Sequence, residues 1–140
     1  KTGEEDKLYL FDASSILNLI KRGLIKQFAE GVTLDLALYE SLNALWKEYK
    51  LLRKIDKDTA LEFINIISDL FNVIKTLSIK GFESEVFNLA SKENLSIYDA
   101  AYIYLAIKNK LILITDDKEL KEKASKYIEA INSNDLLNIK

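Results

Sequence analysis

An α/β fold built on a parallel sheet is what this sequence predicts, and three observations carry the prediction. Short apolar runs alternate with amphipathic segments long enough to be helices, which is the pattern of βαβ units. At 140 residues the chain has the length of one domain with room for a real core. Apolar residues make up 49% and charged residues 30%, the balance of an ordinary soluble globular protein.

The elements follow in order. Residues 1–7, KTGEEDK, read as a solvated leader, and the absence of any methionine suggests that the native start is missing or processed; residues 8–140 read as the single domain. Leu8 to Phe11 is a buried strand ending at Asp12, and Ala13 to Ile20 continues at helical spacing. Gly23 allows a break, Leu24 to Glu30 forms a second short helix, and Val32 to Leu34 is the next strand. Asp35 is an N-cap for a long helix reaching about Arg53, with Leu38, Leu42, Leu45, Tyr49 and Leu52 on its core-facing stripe. Its opposite face carries Glu40, Asn43, Lys47, Lys50 and Lys54. Asp58 to Leu70 is a further amphipathic helix, Asn72 to Leu77 a strand or extended link, and Gly81 to Glu93 another helix. Ser96 to Lys108 is a nearly all-apolar helix carrying Asp99, Leu111 to Ile114 a strand, and Asp116 to Ser125 a helix. Tyr127 to Ile131 closes with a strand and Asn134 to Asn138 with a helical turn.

Composition removes chemistry more decisively than it adds any. With no cysteine and no histidine, a thiol nucleophile, a Ser-His pair and a Cys/His zinc site are all excluded. Carboxylate, hydroxyl and lysine chemistry remains. A net charge of −2 gives no global positive field, so binding to nucleic acid would need a local patch or a metal. No apolar run approaches the roughly 18 residues that span a bilayer, and no signal peptide opens the chain, so the cytoplasm is the expected location.

Four acids stand out by position. In an open parallel sheet the working cleft lies beyond the carboxyl ends of the strands. Asp12 and Asp117 each follow a strand, while Glu40 and Asp99 lie in the first turns of helices, so four distant segments would bring acids to one edge. Each acid also has a plainer reading. Asp12, ahead of Ser14 and Ser15, could simply cap its helix, Glu40 could belong to a solvated face, and Ser96 with Asp99 fits the S-x-x-D capping pattern. Asp116 and Glu119 show that pattern too, so that if Asp116 is the cap, Asp117 is left free. Clustered carboxylates repel unless a cation neutralises them, and oxygen-only ligands suit hard ions such as Mg²⁺ or Mn²⁺. Without histidine, metal-bound water is the best nucleophile available near neutral pH, which points to phosphoryl hydrolysis.

The chain resembles the PIN-domain ribonucleases, and among them the single-domain toxins of the VapBC toxin–antitoxin class. The resemblance lies in LYLFDASSIL, in YESLNAL with its E-x-x-N spacing, in SIYDAAYIYLA and in LITDDKEL with its T-x-D ending, in that order across residues 8 to about 131. It implies a three-layer α/β/α sandwich around about five strands, cleavage of RNA that depends on Mg²⁺ or Mn²⁺, frequent homodimers and a cognate antitoxin as partner. Carried across, it makes Asp12, Glu40, Asp99 and Asp117 the metal-site acids, with Ser14, Asn43 and Thr115 in support and Asp116 either ligand or cap. Lys47, Lys50 and Lys54 would then continue from the cleft as a basic track for RNA phosphates.

Two other functions compete with a ribonuclease. An aspartyl-phosphate phosphatase would use Asp12 as nucleophile, although FDASSI has serine where the second acid of D-x-D belongs. A non-catalytic module could keep the PIN scaffold only to dock a partner protein.

Overall fold

The fold grows from one fully buried strand. In β1 (Tyr9–Phe11) all three side chains are buried, as expected of a central parallel strand covered on both faces. It pairs in parallel with β2 (Gly31–Leu34) on one side and β4 (Ile112–Ile114) on the other. The computed structural model describes residues 7–139, and the sheet is completed by β3 (Lys75–Leu77) and β5 (Ala130–Ile131). Every pairing is parallel, in the order β3-β2-β1-β4-β5. The chain thus builds outward from β1 to β3, then returns to the opposite side of β1. That reversal makes the β1/β4 boundary the topological switch point, where the crevice of such a sheet opens.

Helices connect the strands: α1 (Ala13–Lys21), α2 (Leu36–Trp46), α3 (Lys57–Val73), α4 (Glu83–Glu93), α5 (Ile97–Asn109), α6 (Lys118–Ala124) and α7 (Ser133–Leu137). A 3₁₀ helix at Lys26–Glu30 stands where a short helix was expected. Local chemistry sets most starts. Asp12, Asp56, Ser96, Asp117 and Asn132 accept backbone N–H groups of α1, α3, α5, α6 and α7 through their side chains. The expected leader at residues 1–7 lies outside the described residues apart from Lys7, whose ammonium donates to the Ala29 carbonyl at 2.8 Å.

One expectation fails along α2. The buried stripe is Ala37, Ser41 and Leu45, whereas Leu38 and Leu42 are half-buried and Leu52 is 57% exposed. Small residues let α2 approach α1 and α3 closely, and a reading weighted toward leucine overlooks them. Past Trp46 the helix widens into a π-helical turn, Lys47–Leu51, and Arg53 adopts the left-handed region at φ 53°. The single face expected to run as far as Lys54 is therefore broken.

Gly31 begins β2 in ordinary extended geometry, so its role is space rather than conformational freedom. A Cβ there would sit within 2.6 Å of Phe11 Cδ2 and closer still to Cε2. The Phe11 ring cannot retreat, because it packs edge-on against Phe28 with centroids 4.9 Å apart. Gly31→Ala is expected to cost about 1–3 kcal/mol by overpacking, read as a lower urea midpoint at unchanged slope.

Candidate active site

The carboxyl ends of β1 and β4 place the site. Phe11 pairs with Ile114, and the Asp12 N–H donates to the Ile114 carbonyl at 3.1 Å, so Asp12 and Thr115 leave the sheet side by side. Asp12 is 4% exposed, and burial raises its proton affinity. Hydrogen bonds pull the other way. Thr115 Oγ1 donates to Oδ2 through a very short contact, Ser15 N donates to Oδ1 at 2.9 Å, and Ser14 Oγ reaches both oxygens at 2.8 and 2.9 Å. Capping and site reading therefore describe one and the same residue: Asp12 starts α1 and faces the cleft.

A cleft of about 420 Å³ opens over Asp12. Its walls bring together Asp12, Ser14, Glu40, Asn43, Lys47, Asp99 and Asp117 from four separate segments of the sequence. Thr115 lies beneath the floor, fully buried. Lys50, Lys54 and Asp116 are not on the walls. For the two lysines the cause is the π-helical turn and the left-handed Arg53.

Glu40 belongs to no solvated face. It is half-buried, and the Tyr102 hydroxyl donates to its Oε1 at 2.7 Å. Burial raises its proton affinity, the Tyr102 bond opposes this, and the charges of Asp12 and Asp99 add to the rise. Tyr102, itself buried, has its phenol pushed upward by burial and by Glu40. Sequence reasoning missed this residue because a tyrosine on an apolar helix reads as core. Its place one turn after Asp99, on the same face, was the available signal.

Asp99 resolves the other way from its local pattern. Ser96 does cap α5, accepting the Asp99 N–H at 3.1 Å, but the Asp99 carboxylate takes no hydrogen bond among the described residues. Burial raises its proton affinity, followed by the charges of Asp117 and Glu119.

At β4 the expected assignment is reversed. Asp117, not Asp116, caps α6: its Oδ1 accepts Glu119 N at 3.0 Å and Leu120 N at 3.1 Å. Asp117 nevertheless reaches the cleft, and its Oδ2 takes no hydrogen bond among the described residues. The cause lies in the chain path. Thr115 Oγ1 accepts the Asp117 N–H at 3.1 Å, which delays the helix start by one residue, while Asp116 turns toward Asn18 and Ser133.

Two of the acids feel their neighbours across the cleft: after burial, the charges of Asp12 and Asp99 raise the proton affinity of Glu40, and that of Asp117 raises the proton affinity of Asp99. No lysine or arginine pairs with any of the four among the described residues. Nor do any three stand close enough, among those residues, to form a ready-made ion site. The donor set still fits a hard divalent ion in kind: oxygen ligands only, mutually repelling, with both oxygens of Asp99 and one each of Glu40 and Asp117 left open.

Comparison with known proteins agrees with this architecture. Residues 8–126 match the family model described as PIN domain. Exonuclease VapC9 of Pyrobaculum aerophilum is 34% identical over 123 residues, covering 86% of this chain and 89% of that protein. Ribonuclease VapC3 of the same organism is 39% identical over 101 residues, covering 71% of this chain and 75% of that protein. The crystal structure of PAE2754 from Pyrobaculum aerophilum superposes with a TM-score of 0.79 at 32% identity, covering 97% of this chain and 90% of that one. Five parallel strands, acids gathered at the switch point and a family match across most of the chain lead to one assignment: the protein belongs to the PIN-domain family, among its VapC-type members.

Proposed function

We propose that this chain is a divalent-metal-dependent ribonuclease, the toxin of a toxin–antitoxin pair, that hydrolyses RNA phosphodiester bonds within the strand. The observation that carries this is a cleft at the switch point lined by four carboxylates with no basic partner among the described residues. Asp12, Glu40, Asp99 and Asp117 would hold Mg²⁺ or Mn²⁺, which when bound supplies an activated water and stabilises charge on the phosphate. Thr115 and Ser14 fix the Asp12 carboxylate, and the Tyr102 hydroxyl aims Glu40 across the cleft. Asn43 and Lys47 stand on the cleft wall, where an amide and an ammonium suit phosphate and sugar oxygens.

The phosphatase alternative has little support in the geometry. Both oxygens of Asp12 are engaged in hydrogen bonds, which leaves a poor nucleophile. On the ribonuclease reading RNA is the substrate, an antitoxin protein the inhibitory partner, a homodimer the natural assembly and the cytoplasm the location. Among the described residues no helix is long and apolar enough to cross a membrane. A short antitoxin-like reading frame directly upstream of the coding region would support the pairing.

Asp99→Asn is the sharpest test, because it removes charge from a carboxylate that takes no hydrogen bond among the described residues and is both half-buried and repelled by its neighbours. With Mn²⁺ and a circular RNA, which only an internal cut can open, the variant should be slower by on the order of 10²–10³-fold, the usual cost of losing one electrostatic group. Its melting temperature should not fall. A variant cleaving at the parent rate would remove Asp99 from the site, and a parent that leaves circles intact but digests linear RNA would make the activity exonucleolytic.

The lysines separate cleanly. Lys47→Ala is expected to weaken RNA binding and to flatten the plot of log affinity against log salt by about 0.7, one phosphate contact on a single strand. Replacing Lys50 and Lys54 together should leave that slope unchanged, since neither lines the cleft. Filter binding across a salt series reads both.

A further inference from the structure

Behind the cleft, α1 carries a second polar face. Ser14, Asn18 and Arg22 follow one another at four-residue spacing, so they stack along one side of the helix and its end. Each engages a different part of the C-terminal half. Ser14 Oγ donates to Asp12 and accepts the Asp116 N–H at 2.9 Å. Asn18 Nδ2 donates to Asp116 Oδ2 at 3.0 Å and to Ser133 Oγ at 2.9 Å. Arg22 Nη1 donates to Asn134 Oδ1 at 2.7 Å. From the far side, Ser133 N donates to Asp116 Oδ1 at 2.9 Å and Ser133 Oγ to Asp116 Oδ2 at 2.8 Å, with Ser133 fully buried.

Both oxygens of the Asp116 carboxylate are thereby engaged on the side away from the cleft. Three donors hold it: the Asn18 amide, the Ser133 N–H, and the Ser133 hydroxyl, whose one hydrogen lies between Oδ2 at 2.8 Å and Oδ1 at 3.1 Å. Unlike Asp12, which is held as closely but lines the cleft, Asp116 is not on the cleft wall. Asp116 nonetheless sits between Thr115, which holds Asp12, and Asp117, which faces the cleft. Its own N–H fixes the hydroxyl of Ser14, the other side-chain donor to Asp12.

We propose that Asn18, Asp116 and Ser133 are positioning residues, a bracket through which α7 and α1 hold the Thr115–Asp117 strand end in register with Asp12. The inference rests on the ribonuclease reading. The bracket touches neither ion nor RNA; it acts through the Ser14 hydroxyl and through the backbone carrying Thr115 and Asp117. Displacements of about 1 Å at such a site cost on the order of 100-fold in rate.

The test measures kcat and KM on labelled RNA with Mn²⁺, and Mn²⁺ binding alone by calorimetry, for Ser133→Ala, Asp116→Ala, Asp116→Asn and the Ser133→Ala/Asp116→Ala pair. Loss of such outer contacts costs about 10–100-fold in activity or metal affinity, so Asp116→Ala should lose kcat within that range at a KM near the parent's. Ser133→Ala should follow in the same direction, and the pair should be no slower than Asp116→Ala alone. Asp116→Asn keeps the shape and an acceptor for the Ser133 N–H, so it should recover part of the loss. Mn²⁺ should still bind Asp116→Ala at the parent's stoichiometry. Should Asp116→Ala fail to fold, Ser133→Ala removes only a hydroxyl and carries the test. Parent-like kcat in both single variants overturns the bracket, and so does loss of a bound Mn²⁺ from Asp116→Ala, which would make that residue a ligand. A parent that cleaves no RNA overturns the ribonuclease reading instead, and weaker Mn²⁺ binding in the two variants would still read the bracket.

Discussion

A carboxylate buried at the end of the central strand is the constraint on which this structure turns. Ionised Asp12 at 4% exposure carries a desolvation penalty of several kcal/mol. It is met by donors from three places: the Ser14 hydroxyl, the Ser15 amide and the Thr115 hydroxyl. Hydrogen bonds to a charged group contribute about 1.5–3 kcal/mol each, so three donors offset a large part of the penalty, although burial still leaves the proton affinity of Asp12 raised. Two lie within the first turn of α1, and the third arrives from β4 on the other side of the switch point. The same bonds that make Asp12 tolerable therefore lock β1 to β4 beyond their last ladder pair. Thr33 repeats the device next door, where its hydroxyl donates to the Phe11 carbonyl at 2.6 Å.

Parallel topology explains why acids can gather here at all. The carboxyl ends of the strands are also where the following helices begin, so helix N-termini point toward the cleft. Asp12 and Asp117 are caps of α1 and α6, and Asp99 lies in the first turn of α5. Each is favoured by the partial positive charge of its helix start, worth about 0.3–1 kcal/mol. Glu40, one turn into α2, has less of that support and takes the Tyr102 hydroxyl instead.

How much of this was legible in the sequence follows from what each signal encodes. Strand runs, helix spacing and the four acids were legible because burial and periodicity leave local traces, and the order of elements came through with shifts at the ends. What misled was competition between two acceptors or two registers. Asp116 and Asp117 both suit an N-cap, and only the Thr115 hydroxyl, held by an acid 103 positions away, decides between them. The α2 stripe failed because Ala37 and Ser41 do the packing, and small residues carry weak hydrophobic signal. Tyr102, Asn18 and Ser133 share a reason for going unread: each bonds a partner more than sixty residues away, and only Tyr102 carries a local hint, its place one turn after Asp99.

The distribution of free oxygens gives the cleft a direction. Asp12 has both oxygens engaged, Glu40 and Asp117 each have one engaged, and Asp99 has none among the described residues. Hydrogen bonding thus thins out from the β1 floor toward the α5 rim, while burial first, and then the charges of Asp117 and Glu119, raise the proton affinity of Asp99. A group arriving in the cleft meets a fixed reference at the floor and an adjustable carboxylate at the rim. Either a proton or a cation can relieve the repulsion at Asp99, but only a multivalent cation can draw on several of the open oxygens at once. On the proposed reading, that difference would let these carboxylates take up a divalent cation without standing at ligating distance beforehand, with Asp12 held in place by the fold.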